Sequence, residues 1–115
     1  MRKLILAAFL FVSTMTTNTF ADGHAIKMGI ILGFTGPIES LTPAMAASAE
    51  LAFNEASDSG SLLGGKKISV ERADSTCVDS AAATTAAQGL VDGGVVAIMG
   101  ADCSGVTGAI ATNVA

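Results

Sequence analysis

The sequence contains no tryptophan and no tyrosine, and only one of its 115 residues is a histidine, His24. Its six basic residues are outnumbered by ten acidic ones, and they form no cluster. Nucleic-acid binding needs basic patches, often with aromatic side chains on which bases stack, so this composition argues against a nucleic-acid partner. A zinc site needs three or four well-spaced ligands, and two cysteines and a single histidine are too few to supply them. We therefore expect neither a metal nor a cofactor.

The sequence also lacks an apolar run long enough to cross a membrane. The longest, Leu4–Val12, is well short of the roughly 20 residues that a spanning helix requires. It follows two basic residues and precedes a polar stretch that ends in a small-x-small pattern at Ala21, as in a cleavable signal peptide. We expect residues 1–21 to be removed and residues 22–115 to be exported, without direct membrane insertion. An uncleaved N-terminal anchor is the alternative.

Three segments have the patterns of β-strands. They are Ile26–Gly33, the stretch around Ile68 and Val70, and Val95–Gly100. The first and third are continuous apolar runs, typical of buried parallel strands, whereas the second alternates like a strand near a sheet edge. Helical segments separate them. The pattern predicts an α/β fold with a parallel sheet in the order 2-1-3, right-handed crossovers and helices on both faces, which makes three layers.

The first helix is predicted to begin with Thr42 as its N-cap and Pro43 as its first helical residue. Its apolar periodicity predicts a buried stripe along one face. That stripe consists of Met45, Ala49, Ala52, Phe53 and Ala56.

The second helix is predicted over Ala81–Val91, capped by Asp79 or Ser80. Its small side chains favour close approach to the sheet, and its predicted buried side consists of Ala83, Ala86, Ala87 and Leu90. A third helix begins near Ser104 and is still running at Ala115. The third strand then has an open apolar edge, which natural sheets avoid, so we expect the chain to be part of a longer protein.

The motifs of nucleotide binding and of catalysis are incomplete. Ile31 occupies the place of the first glycine in a dinucleotide loop, and Val106 occupies the place of the phosphate-loop lysine. No G-x-S-x-G nucleophile elbow is present. A nucleophilic Cys103 would need a general base beside it, and no histidine is near it in the sequence. We therefore expect a binding protein and not an enzyme.

The only two cysteines, Cys77 and Cys103, both lie in the exported part. In an oxidising compartment such a pair is more often a disulfide than a metal site. Each cysteine follows a predicted strand at the same edge of the sheet, so their loops can meet over the end of the first strand. We expect a Cys77–Cys103 disulfide.

Ligands of open parallel sheets bind beyond the carboxyl ends of the strands. Three loops occupy that edge here, and the third, "GADCSGVTG", leads into a helix. The first amides of a helix have no internal partner and suit a carboxylate or another small anion. The amide of Gly105 and the hydroxyls of Ser104 and Thr107 would add donors. The alternative is that Ser104 is only a helix cap.

The sequence resembles the periplasmic substrate-binding proteins of branched-chain amino acid ABC transporters, of the leucine/isoleucine/valine-binding type. The resemblance covers residues 26–115. It rests on the order of several features: Gly36-Pro37 after the first strand, "LGGK" before the second strand, and a cysteine in each of the next two loops.

The resemblance implies a type I fold of two α/β lobes that closes on a small molecule, an amino acid or a related ligand, in the periplasm. Residues 22–115 would be part of the first lobe, and the partner would be the membrane permease of an ABC transporter. An alternative function is an exported ligand-sensing domain of a receptor or regulator. A third is an exported α/β enzyme whose catalytic residues lie elsewhere.

The resemblance also implies roles for single residues. The serine that binds the ligand α-carboxylate in this family falls at Ser104, and the family disulfide falls at Cys77 and Cys103. Two positions depart from the family pattern. Leu41 stands where a ligand-facing aromatic is expected, and Asp102 stands where leucine binders have an apolar residue. These departures allow a smaller or more polar ligand, and Asp102 is either a specificity residue or a solvated loop acid.

Overall fold

The computed structural model describes residues 25–115, so the predicted signal peptide and His24 lie outside it. Strands and helices alternate along the chain as predicted. They are β1 (Ile26–Leu32), α1 (Thr42–Asp58), β2 (Ile68–Asp74), α2 (Ser80–Asp92), β3 (Ala97–Gly100) and α3 (Ser104–Asn113), with a short 3-10 turn at Leu62–Gly64.

The three strands form a parallel sheet in the order β2-β1-β3, which confirms the predicted topology. Ile26 is paired with Ile68 at one end of the β1–β2 ladder, and Leu32 with Asp74 at the other. The carboxyl ends of all three strands therefore meet at one edge, because parallel strands run in the same direction.

The sheet has helices on both faces, which confirms the three layers. Ile30 and Leu32 of β1 pack with Ala46 of α1 on one face. Ile31, between them in the sequence, packs with Ala87 and Leu90 of α2 on the other. Successive side chains of a strand point to opposite faces, so a central strand that is covered on both sides reads as the continuous apolar run seen in the sequence.

The start of α1 differs from the prediction. Leu41, not Thr42, stands at the N-cap position, and no side chain caps this helix. Thr42 is fully buried, and its hydroxyl donates a hydrogen bond of 3.0 Å to the carbonyl oxygen of Gly33. The expected cap is thus an anchor between the helix and the end of β1.

The buried face of α1 is also rotated from the predicted one. Its core-facing residues are Thr42, Ala46, Ala49, Phe53 and Ser57. Met45 is 44% exposed, and Ala52 is exposed as well. The hydroxyl of Ser57 accepts a hydrogen bond of 3.1 Å from the amide of Ile68. Polar anchors at Thr42 and Ser57 fix the rotation of the helix, which apolar periodicity alone did not reveal.

The packing of α2 agrees with the prediction. Ala83, Ala87 and Leu90 are buried, and Ala86 is partly buried against the same cluster. Gly29 of β1 permits the close contact, since a Cβ there would lie 3.0 Å from Cδ1 of Leu90.

The side of the sheet next to β3 and α3 carries an apolar groove of about 310 Å³. The residues that line it include Val91, Val96, Ile98, Ile110 and Val114. Val96 is 71% exposed. Within residues 25–115, no helix is long and apolar enough to cross a membrane.

Candidate functional site

Three loops gather at the carboxyl edge of the sheet. We call them loop 1 (residues 33–41, after β1), loop 2 (residues 75–79, after β2) and loop 3 (residues 101–103, after β3). Because β1 is the central strand, loop 1 lies between the other two.

A disulfide between Cys77 and Cys103 joins loop 2 to loop 3, with their Cα atoms 5.2 Å apart. This confirms the predicted pairing. The bond passes over the end of β1, where Gly33 leaves room: a Cβ on Gly33 would lie 3.2 Å from Cβ of Cys77. The disulfide holds the start of α3 beside loop 2.

Loop 2 has an unusual backbone. Thr76 and Cys77 both have positive φ angles, of 58° and 70°, which is uncommon for residues other than glycine and rare for a β-branched one. The loop also lies in close contact with loop 1, since a Cβ at Gly36 would lie 2.5 Å from the carbonyl oxygen of Thr76. Residues in such conformations persist only where their surroundings hold them, and the disulfide and a carboxylate of β2 supply that support.

That carboxylate belongs to Asp74, the last residue of β2. It accepts hydrogen bonds from the hydroxyl of Thr35 at 2.6 Å, from the Thr35 amide at 3.3 Å and from the Thr76 amide at 2.8 Å. Burial is the largest single influence and raises the pKa of Asp74, but hydrogen bonds from Thr35, Thr76 and Phe34 together outweigh it. The pKa of Asp74 therefore lies below its ordinary value of 3.8, and the carboxylate fastens loop 1 to loop 2.

Asp102 makes a second link to loop 1. One of its carboxylate oxygens accepts a hydrogen bond of 3.0 Å from the amide of Gly33. The other lies 3.5 Å from the hydroxyl of Ser75, which is fully buried. Asp102 is partly buried, so it is not the freely solvated loop acid that was one of the sequence-based alternatives.

The N-terminus of α2 is closed by a side chain of its own loop. Asp79 is the N-cap residue, and its carboxylate accepts hydrogen bonds of 3.0 Å from the amides of Ala81 and Ala82. This agrees with one of the two caps proposed from the sequence. The donors at the start of α2 are thereby occupied by an internal anion.

The N-terminus of α3 is different. Cys103 is its N-cap residue, and no side chain makes a capping hydrogen bond. The first bond of the helix runs from the Thr107 amide to the Cys103 carbonyl, which leaves the amides of residues 104–106 without an intrahelical acceptor. Ser104 is the first helical residue and is exposed. The alternative in which Ser104 is the helix cap is wrong.

The other predicted site residues lie in the first two turns of α3 or at the start of α1. Gly105 is exposed in the first turn of α3. The hydroxyl of Thr107 is directed at the carbonyl oxygens of Ala101 and Cys103, both 2.9 Å away, so its single proton already has acceptors within the protein. Leu41 is 61% exposed at the start of α1.

Sequence reasoning missed the links that Asp74 and Thr42 make to loop 1. An acidic residue that ends a strand, followed by a turn, is a weak signal for the first link. No local pattern indicated the second, because Thr42 precedes a proline and reads as a helix cap. Within residues 25–115, no group of three or more histidine, cysteine or acidic residues is placed to hold a metal ion.

Comparison with known proteins agrees with this geometry. A family model described as periplasmic binding protein matches residues 25–115, which is the whole segment that forms the sheet, the helices and the three loops. No curated protein matches the chain.

Proposed function

This chain belongs to the periplasmic binding protein family, and we propose that it is the solute receptor of an ABC transporter, which binds an amino acid or a related small ligand and delivers it to the membrane permease. The family is one of ligand-binding proteins without catalytic activity, and its members bind small molecules in the periplasm.

One observation carries the proposal: the amides at the start of α3 have no anion of the protein on them, and the exposed Ser104 stands beside them. The start of α1 is also uncapped, but it begins with the buried Thr42 and with Pro43, which has no amide proton to donate. The amides of loop 1 at Gly33 and Thr35 are bound by Asp102 and Asp74. The amides at the start of α2 are bound by Asp79. Among residues 25–115, no side chain caps α3.

We propose that the ligand carboxylate takes this place. The exposed hydroxyl of Ser104 and the first amides of α3, including that of Gly105, would donate to its oxygens, and the helix dipole favours negative charge at this end. Thr107 would support the turn rather than contact the ligand, since its hydroxyl is directed at two backbone carbonyls. A ligand held on the first lobe then favours closure of a second lobe over it.

Leu41 offers an apolar contact to the rest of the ligand. It is 61% exposed at the end of loop 1, where the related leucine binders have an aromatic residue. Leucine covers less of a ligand side chain than an aromatic ring does, so this contact would be weaker than in the leucine binders, and the ligand need not be a branched-chain amino acid.

The test is a thermal-shift screen of the full-length protein against L-amino acids and their α-carboxamides, followed by calorimetry on each hit. An amino acid should bind at least about tenfold more tightly than its own carboxamide, because the amide loses a charge-assisted hydrogen bond. Equal affinity for the acid and the amide would show that no carboxylate binds at α3. Turnover of the bound compound would show an enzyme instead of a receptor.

A further inference from the structure

We infer that Asp102 is a positioning residue, which holds loop 3 against the end of β1 and so determines where the first turn of α3 presents its donors. The inference rests on the proposed function, since the donors matter because a ligand binds them. It replaces the alternative in which Asp102 contacts the ligand as a specificity residue.

The link is made at a point where the backbone is buried and fixed on both sides. Gly33 is buried, and a buried amide without an acceptor is costly. Its amide donates to Asp102, while its carbonyl oxygen accepts from the hydroxyl of Thr42. Asp102 is therefore joined, through the single residue Gly33, to the end of the central strand and to the start of α1.

Because of its position in the chain, Asp102 can hold the start of α3 in place. It immediately precedes Cys103, the N-cap of α3, and Ser104 follows. The disulfide ties Cys103 sideways to loop 2, whereas Asp102 ties the preceding residue to β1. Two anchors in different directions on adjacent residues leave the first turn of α3 little freedom to rotate.

The orientation of the carboxylate argues against direct ligand contact. One oxygen accepts from Gly33, and the other faces the fully buried hydroxyl of Ser75. A carboxylate directed at the ligand carboxylate would repel it. Directed toward loop 1 and loop 2, the same group is bonded within the protein.

The chain offers a matched pair of variants. Asp102→Asn keeps a carbonyl oxygen for the Gly33 amide, and its NH2 group can donate to the Ser75 oxygen. Asp102→Ala removes both interactions. If Asp102 positions loop 3 by hydrogen bonding, the asparagine variant should behave like the wild type and the alanine variant should not. Asp102→Ser, whose side chain is too short to bridge the gap, replaces alanine if that variant does not fold.

The measurements use the full-length protein labelled with ¹⁵N. The first is amide hydrogen exchange at Gly33 without ligand, and the second is the position of the Gly105 and Val106 amide resonances. The third is titration with sodium acetate, a minimal carboxylate, followed at the same resonances. We expect Asp102→Ala to speed exchange at Gly33 by about tenfold or more, to move both resonances and to weaken acetate binding by about tenfold. We expect Asp102→Asn to leave all three close to the wild-type values.

Two results would overturn the inference. One is an asparagine variant as impaired as the alanine variant, since the charge and not the hydrogen bonding would then matter. The other is loss of protection at Gly33 with no movement at Gly105 and Val106, which would confine Asp102 to a local structural role. If the wild type does not bind acetate at α3 while the alanine variant still moves those resonances, the carboxylate site fails and the positioning role stands.

Discussion

The starts of α2 and α3 are similar in sequence, but a side chain caps only the start of α2. Each helix follows a loop that contains one cysteine of the disulfide, and each has a serine, Ser80 or Ser104, as its first helical residue. The residue before that serine is Asp79 in α2 and Cys103 in α3.

The type of residue at the N-cap thus determines whether a side chain binds the amides of the first turn. Asp79 gives α2 its own anion, with two hydrogen bonds of 3.0 Å. The side chain of Cys103 instead forms the disulfide, so it does not bind the amides in the first turn of α3. A helix start that is anchored covalently does not need a carboxylate to hold it, so its amides remain available to a ligand.

Among the variants that test this difference, removal of the disulfide should have the largest effect. The double variant Cys77→Ser/Cys103→Ser should lower the free energy of unfolding of the full-length protein by about 3–4 kcal/mol, the chain-entropy value for a loop of this size. Urea unfolding measures it. Amide exchange should rise in the first turn of α3 and not in that of α2. Equal loosening of both helices would show that the disulfide does not anchor α3 in particular.

The next effect is on ligand affinity. Ser104→Ala should weaken a carboxylate ligand by about 1–3 kcal/mol, because a charged group loses a hydrogen-bond partner, and calorimetry measures it. Ser80→Ala is the matched control, since it makes the same change at the first position of α2, where Asp79 already occupies the amides. If both serines matter equally, or neither does, the contrast between the two helix ends has no functional meaning.

A smaller effect is expected from the cap of α2. Asp79→Ala should cost about 1 kcal/mol of stability, the usual value of an N-cap, with ligand affinity unchanged. Asp79→Ser should restore most of that loss, because serine also caps helices well. Chemical denaturation and calorimetry on the same samples separate the two readouts. A loss of affinity as large as that of Ser104→Ala would place α2 in the binding site.

The smallest effect we expect is that of acid on the link between loop 1 and loop 2. The pKa of Asp74 is lowered in the folded protein, so its contribution to stability is present above the unfolded pKa and is lost as the pH falls through the folded one. The loss is partial, because a protonated carboxyl still accepts hydrogen bonds.

Amide exchange at Thr76 as the pH is lowered below about 4 measures this effect. Asp74→Asn is the control, and it should remove the pH dependence. The first turn of α3, which has no carboxylate cap, should not respond to the same step. A response there that matches the one at Thr76 would mean that acid acts on the whole edge and not through Asp74.

The burial of β1 was predictable because burial on both faces leaves its mark on a short run of residues. The equally apolar run Val95–Gly100 was expected to be buried too, but Val96 is 71% exposed in the structure. Ile30, Ile31 and Leu32 form such a run in β1, and the alternation at Ile68 and Val70 marked β2 as an edge strand. The Cys77–Cys103 pair was predictable for a related reason, since only two cysteines exist and both follow strands that end at the same edge.

The rotation of α1 and the role of Asp102 were not predictable in that way. Apolar periodicity placed Met45 in the core and read Thr42 as a cap, whereas the hydroxyl of Thr42 is bonded to Gly33 in the folded chain. For Asp102, the sequence suggested only two roles, a solvated loop acid or a residue that contacts the ligand. Its partner, Gly33, is 69 residues away, and no local pattern records such a neighbour.

The sequence by itself determined the layers, the parallel sheet, the disulfide and the edge at which the three loops gather. These follow from periodicity and from the direction of the strands, which are local properties. Only the tertiary structure decided which donors at that edge are occupied. Asp74 and Asp102 find partners in loop 1 that are far away in the sequence, whereas Asp79 caps α2 locally, as the sequence suggested. Among the described residues, no side chain caps the first turn of α3.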